Sequence, residues 1–407
     1  MTIKFNGITK DFVYATVETQ RPMWATIERD FLTIPGRPGS YLRKTNVKAR
    51  TIPVTFVIKG VDDMQKAKEE IADWLITDKP APLVFPDEPD RTYYAVVDGD
   101  GIPDELFKFG KATINFVCPD PYKYGKESSI VISSTVDGIN LVQNGDFMNG
   151  LTNWRTWQAG TTGNTRELKD ITDFDGDDHK FTKGFTYTTV ASEQYGYAQD
   201  NVALTTGEVY TLSAWFKVTS GTGIVLLQTG NATDGWTSTS YEAVPILGKW
   251  TKLTHTFTAK SGTTSIYVGQ GKDSNGGYNS ADVTGVQLIH GTTATKWQPF
   301  MTIPVYSDGT APSSPIVECN FTAAASGYDV QLLNDDTSLN KGVSLAFDFI
   351  AGDKLVIDFS KRLATLNGER KNTAFLISSE FFQIPPMKKT MIRTTQPSTI
   401  RFYDKYK

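Results

Sequence analysis

Only one stretch of this 407-residue chain repeats its apolar residues at the 3.6-residue period of a helix. Between Asp62 and Ile76, Met64, Ala67, Ile71, Trp74 and Leu75 fall on one helical face. Asp62 or Asp63 is placed to cap the first turn, and Lys66 is spaced to pair with Glu70. Elsewhere the chain shows short apolar–polar alternation broken by turns, fed by 34 Gly and 19 Pro. A chain this long with one helix must build its cores from sheets, and its length suffices for two or three of them. The expected fold class is mainly β.

The alternation divides the chain into three. Residues 1–60 carry strands, as at 11–17 and 52–58, and strands return after the helix at 81–85, 92–98 and 111–118. The segment closes on Pro119-Asp120-Pro121-Tyr122-Lys123-Tyr124-Gly125. Composition changes near residue 139, where a stretch holding six of the eight tryptophans and all three histidines begins. Its strands, at 210–218, 224–228, 250–258, 265–268 and 283–289, are joined by long Gly/Thr/Ser/Asn loops, the pattern of a jelly-roll sandwich. A third pattern follows, with strands at 315–321, 329–333, 343–348, 354–358, 362–366 and 399–403, and an Asn367-Gly368 pair marks a tight hairpin. The expected domains are an N-terminal β-sandwich-like domain with one α-helix (1–138), an inserted jelly-roll β-sandwich (139–302) and a C-terminal β-sandwich (303–407).

Several function classes drop out. The net charge is −4 and the basic residues are scattered, so no stripe exists to neutralise a phosphate backbone and direct nucleic-acid binding is not expected. The N-terminus shows no basic region followed by an apolar run, and no stretch of about 18 apolar residues occurs, so neither secretion nor membrane insertion is expected. Cys118 and Cys319 lie far apart and read as buried thiols. Phosphate loops, nucleophile elbows and paired-histidine zinc motifs are all missing. His179, His255 and His290 have no carboxylate or cysteine at ligand spacing and read as packed or solvated. Asp170, Asp173, Asp175, Asp177 and Asp178 begin like a calcium loop but do not complete one, and read as an exposed acidic loop. No cofactor is required. A structural calcium ion would find oxygen donors in Asp146 and Asp282.

The aromatic residues of the insert are the most informative set, because sugar C–H faces stack on flat rings while amides and carboxylates bond the hydroxyls. Trp154, Trp250 and Trp297 lie among apolar alternation and are expected in the core. Period two places Trp215 on a polar face with Thr211, Ser213 and Lys217, as a stacking platform would be. Tyr195, Tyr197 and Gln199 share a face by the same rule, while Trp157, Trp236 and Tyr278 fall in polar loops. These seven are the candidate carbohydrate-binding residues. No carboxylate pair is spaced along one strand of the insert as a glycosidase would need, so catalysis is not expected. A purely architectural insert is the first alternative, and a glycan-degrading domain the less favoured second.

The opening Leu141-Val142-Gln143-Asn144-Gly145-Asp146-Phe147, the following Gly150-Leu151-Thr152-Asn153-Trp154, and the close at 286–297 resemble the carbohydrate-binding modules of the family 4/9 jelly-roll class. The flanks resemble the distal tail proteins of siphophages that infect Gram-positive bacteria. That resemblance rests on Pro35-Gly36-Arg37-Pro38-Gly39, the single helix, the segment 114–124, Ser307-Asp308-Gly309-Thr310-Ala311-Pro312, and Leu355-Val356-Ile357-Asp358 with Asn367-Gly368-Glu369. Ile384-Pro385-Pro386-Met387-Lys388-Lys389 departs from the family's glycine-rich loop. The resemblance implies a virion protein of the tail tip, or baseplate, made in the host cytoplasm and assembled as a hexameric ring. It also implies a galectin-like C-terminal sandwich. Its implied partners are the tail tube protein, a tail-associated lysin or adhesion protein, the tape measure protein and host cell-wall polysaccharide, which the insert would bind during adsorption.

Overall fold

The computed structural model describes residues 2–16, 19–106, 109–158 and 160–407. Its one α-helix among these residues, Met64–Leu75, starts where Asp63 accepts hydrogen bonds from the backbone of Gln65 and Lys66. Met64, Ala67, Trp74 and Leu75 are buried, as the periodicity requires, and the Trp74 indole donates to the Phe5 carbonyl. Glu70 pairs with Lys10 across the fold, not with Lys66.

The helix packs on a seven-stranded sheet whose longest pair is Arg50–Lys59 against Phe109–Cys118. Within the expected 11–17 strand, Val13–Ala15 pairs with Arg50–Lys59, and Val17 lies outside the described residues. A hairpin, Ile27–Leu32 with Tyr41–Val47, forms a separate two-stranded sheet. Every residue of its first strand is exposed, Phe31 and Leu32 included.

The C-terminal sandwich consists of a six-stranded and a four-stranded sheet. Its six-stranded sheet includes Lys123–Ile132, paired antiparallel with the last strand, Ser398–Tyr406. The tyrosine-rich segment read as the close of the first domain is therefore the edge strand of the third. Its polar alternation carries no mark of which sheet will take it, and long-range pairing decides. The chain leaves this sandwich after Ile132 and re-enters it at Thr302–Tyr306, in the opposite sheet. The insert is thus a connection within the C-terminal sandwich. Asn367, at φ +52°, and Gly368, at φ +89°, form the tight hairpin turn that the Asn-Gly pair predicts.

The insert contains two five-stranded antiparallel sheets. One orders Arg155–Trp157, Tyr195–Ala203, Thr263–Gln270, Ile224–Asn231 and Gly235–Glu242. The other orders Thr165–Asp170, Lys183–Thr188, Asn279–His290, Val209–Gly221 and Thr251–Thr258. Between them pack Phe185, Tyr197, Leu212, Phe216, Val225, Leu227 and Val268, and this core is continuous with that of the C-terminal sandwich. Asn140 closes the insert. Its Oδ1 accepts from the backbone of Val142 and Leu288, and its Nδ2 donates to the Gln298 carbonyl.

Cys118 and Cys319 are buried free thiols, as expected, and burial pushes each up to about 12.

Candidate functional site

Register identifies which face of the first insert sheet is open. Opposed residues in antiparallel strands point the same way, so Arg155, Ala198, Tyr267, Gln228 and Ser238 form one row across the sheet. Trp157, Gly196, Gly269, Leu226 and Ser240 form the next. Both rows face away from the sandwich core. Thr156, Tyr197, Val268, Leu227 and Thr239 form the row between them and face inward.

The outward rows line an open cleft of about 490 Å³ bounded by Arg155, Trp157, Gln158, Gln194, Gln228, Trp236 and Tyr267. Trp157 and Tyr267 pack with ring centres 5.1 Å apart and share a buried cluster with Ala198 and Leu226. Bare backbone lies between Trp157 and Leu226. A Cβ on Gly196 would stand 2.2 Å from the Val268 carbonyl oxygen, and one on Gly269 would stand 2.1 Å from that of Tyr195. No side chain but hydrogen fits at either position, so the floor is hollowed there. Arg166 fixes one wall, donating to the carbonyls of Trp157, Gln158 and Gly196. Arg155 holds Asp200 through Nε at 2.5 Å and Nη2 at 2.9 Å, and that bonded partner lowers the Asp200 carboxyl. The cleft lining therefore carries three side-chain amides, one neutralised cation, three aromatic rings and no carboxylate.

The predicted residues divide. Trp157 and Trp236 lie in the cleft, with Trp236 53% exposed at its rim and Trp157 at its floor. Tyr195, Tyr197 and Gln199 do share a face, but it is the inner one. Both tyrosines are core, and Gln199 exchanges two hydrogen bonds with the Gln143 backbone. Tyr278 is exposed on a loop outside the cleft. Trp215 is only 5% exposed and offers no face to a ligand. Alternation assigned it correctly to the outer side of the second sheet, yet the loop through Phe174 and Phe181 folds over it. Trp154, Trp250 and Trp297 are buried as expected. Arg155, Gln158, Gln194, Gln228 and Tyr267 were missed. The glycines at 196 and 269 are the signal that could have located them, since glycine inside a strand marks a close backbone approach.

Asp170, Asp173, Asp175 and Asp177 of the acidic run are exposed as expected, and Asp178 is drawn inward. Asp178 accepts from Trp215 Nε1 at 3.1 Å, Lys252 Nζ at 2.8 Å and the Trp297 amide at 2.7 Å. Asp173 holds Lys217 and the Trp250 indole. Asp282 is buried against Lys169 at 2.7 Å, and Asp146 is half-buried with the Met148 amide 3.4 Å from its Oδ1. Among the described residues no three His, Cys, Asp or Glu side chains converge to hold a metal. Asp146 and Asp282 by themselves do not make a calcium donor set. His290 does have carboxylate neighbours, Asp137 at 2.7 Å and Glu208 at 3.1 Å, while His255 is enclosed by Thr229, Thr237 and Thr239.

Comparison with known proteins follows the same divisions. Residues 10–118 match the phage tail protein RIFT-related domain, 308–406 the C-terminal domain of the siphovirus-type tail component, and 139–275 a carbohydrate binding domain. The chain thus carries both of the domains matched in siphovirus-type tail components, with a module of the carbohydrate-binding class set between them. In this combination it is similar to the distal tail proteins. The distal tail protein of Bacillus phage SPP1 is 40% identical over 103 residues, which are 25% of this chain and 40% of that relative. This chain thus spans less than half the length of that curated relative in sequence. The crystal structure of the SPP1 protein, described as a paradigm of hub adsorption apparatus in Gram-positive infecting phages, aligns with all of this chain and 99% of its own, at 17% identity and a TM-score of 0.53. A solved family 4 carbohydrate-binding module covers 39% of this chain and 99% of its own, at 19% identity and a TM-score of 0.25.

Proposed function

We propose that this chain is a non-enzymatic hub of a phage tail tip whose insert holds a polysaccharide of the host cell wall during adsorption. The carrying observation is the cleft itself. Trp236, half exposed, offers ring surface for a sugar face above a floor closed by the buried Trp157 and Tyr267, and Gln158, Gln194 and Gln228 offer amides that donate to and accept from hydroxyls. General acid–base cleavage of a glycoside needs two carboxylates across the groove. Its lining supplies none, which favours binding over hydrolysis.

In this reading the N-terminal sheet forms a ring of six copies at the tail tip. The isolated hairpin 27–47, with Phe31, Leu32, Tyr41 and Leu42 exposed, provides apolar surface of the sort that interfaces bury. The ring would meet the tail tube protein on one side and a lysin or adhesion protein on the other, with the tape measure in the channel. Six clefts acting together hold the particle even when each binds weakly, on the order of 0.1–1 mM.

The test uses the full chain fused to a fluorescent protein and applied to Gram-positive cell walls. Labelling by the wild type that is lost in Trp236→Ala, with no reducing sugar released from the wall, supports the reading. Labelling that survives in both Trp236→Ala and Tyr267→Ala sinks it. The continuous core joining insert and C-terminal sandwich favours a second reading, a rigid architectural element, which that last result would leave standing.

A further inference from the structure

Arg50 is 2% exposed, and neither its Nε nor its Nη1 has a hydrogen-bond partner. It stands opposite Cys118 at one end of the longest strand pair of the N-terminal sheet, with its guanidinium 5.8 Å from the centre of the Tyr93 ring. A guanidinium does not shed its proton to relieve burial, and a buried charge without an acceptor is strongly unfavourable. Among the described residues, the nearby side-chain carboxylates are already engaged. Glu88 accepts from Arg21 and Lys123, and Asp120 from Tyr124 and Lys405. Arg50 lines a cavity of about 230 Å³ with Trp24, Ile27, Val47, Tyr122 and Lys407. Trp24, Ile27 and Val47 are themselves exposed, so the cavity opens into the apolar foot of the hairpin.

The same sheet presents the complement elsewhere. The loop Asp98-Gly99-Asp100-Gly101-Ile102-Pro103-Asp104 exposes Ile102 at 76% between three exposed aspartates. None of the three aspartates has an ion-pair partner among the described residues. The loop leaves the sheet beside Asn115 and returns beside Lys111. That is three to seven residues along the strand from Cys118, roughly 10–24 Å at ~3.4 Å per residue. One molecule therefore cannot bring its own loop into its own cavity. Two copies placed head to tail can, and such heterologous contacts close into rings.

We propose that the Arg50 cavity receives the 98–104 loop of a second copy of this chain, with Ile102 entering among Trp24, Ile27 and Val47 and a flanking aspartate supplying the acceptor that Arg50 lacks. The contact rests on the ring-forming reading above and names its chemistry. It explains why an orphaned guanidinium is kept in a core where methionine would pack.

The test is self-association of the full chain, measured by light scattering over a concentration series together with thermal unfolding of the dilute protein. Arg50→Met is expected to weaken association at least tenfold while leaving the dilute protein's Tm unchanged or higher, because it removes a buried unpaired charge. The triple variant Asp98→Asn, Asp100→Asn, Asp104→Asn is expected to weaken association similarly, and combining it with Arg50→Met adds little. A lower Tm for Arg50→Met with undisturbed association would mean that Arg50 finds its acceptor inside its own chain, and would overturn the proposal. Rings that form in the wild type and in both variants alike would discard this contact and keep the ring. A wild type that stays monomeric at every concentration would remove both.

Discussion

Trp215 donates its indole N–H to Oδ2 of Asp178 at 3.1 Å, and that carboxylate also gathers Lys252 and the backbone of Trp297. One aspartate therefore fastens the loop 171–181 over the second insert sheet and closes a cluster of Ile171, Phe181, Trp215, Trp250 and Trp297. Asp178→Ala should destabilise the insert by about 3–5 kcal/mol, since it takes the counter-charge from Lys252, which keeps only the Thr295 carbonyl, and leaves two N–H groups without an acceptor. Urea unfolding followed by tryptophan fluorescence measures this, and a loss under about 1 kcal/mol would refute the staple. Although burial raises the Asp178 carboxyl, the bonds from Lys252 and its other donors win and hold it below 3.8. Its contribution is therefore present above that unfolded value and is lost as pH falls through the lower folded one.

The two faces of the insert predict a separation of effects. Trp236 is half exposed at the cleft rim, so Trp236→Ala should abolish glycan binding while changing stability by less than about 0.5 kcal/mol. Trp215→Ala should do the reverse, costing about 3–5 kcal/mol and leaving the affinity of the folded fraction unchanged. Paired measurements of Tm and cell-wall binding on the two variants decide the matter. A Trp215→Ala protein that is stable but blind to glycan would reinstate the sequence-based platform.

How far that reading could go is clear from these same residues. Alternation placed Trp215 on the outer face and Tyr195, Tyr197 and Gln199 together, and both statements hold. Period two says which side chains share a face; it does not say which face a neighbouring loop will cover or which sheet will pack behind. Asp178 and the loop at 171–181 lie some 35 residues or more from what they cover, so no local pattern could report the lid. The segment 119–125 reads as the close of the N-terminal domain, and the strand Lys123–Ile132 that begins in it joins the C-terminal sandwich instead, because its partner, Ser398–Tyr406, lies at the far end of the chain. The helix, by contrast, was legible nearly to the residue because its cap and its period are local.

Two histidines give the insert opposite pH responses. Burial lowers His255 below 6.5, so the unfolded chain takes up its proton first, and this contribution is complete above 6.5 and lost as pH falls from there through the lower folded value. Asp137 and then Glu208 raise His290, so its contribution is complete below 6.5 and lost as pH climbs through the raised folded value. Thermal unfolding across pH 5–9 should show His255→Gln flattening the acid limb and His290→Gln flattening the alkaline one. Identical profiles for both variants and the wild type would contradict the assignment.

Asn140 predicts what secures the insert in its host. Its side chain is fully buried and bonds Val142, Leu288 and Gln298, so the entering and leaving chains run side by side, with Asn140 bridged to Phe300. Asn140→Ala strips two backbone N–H groups and one carbonyl of a partner, at roughly 1–3 kcal/mol for each group left unsatisfied. Asn140→Asp retains the acceptor but sets a buried carboxylate oxygen against the Gln298 carbonyl, and should cost at least as much. The disturbance should be local because the strand pair Lys123–Ile132 with Ser398–Tyr406 draws nothing from Asn140. Hydrogen–deuterium exchange should quicken at Val142 and Leu288 and stay slow at Ile130 and Ile400. Equal quickening at all four would mean that insert and sandwich open as one unit, and that Asn140 holds up the sandwich as much as the graft.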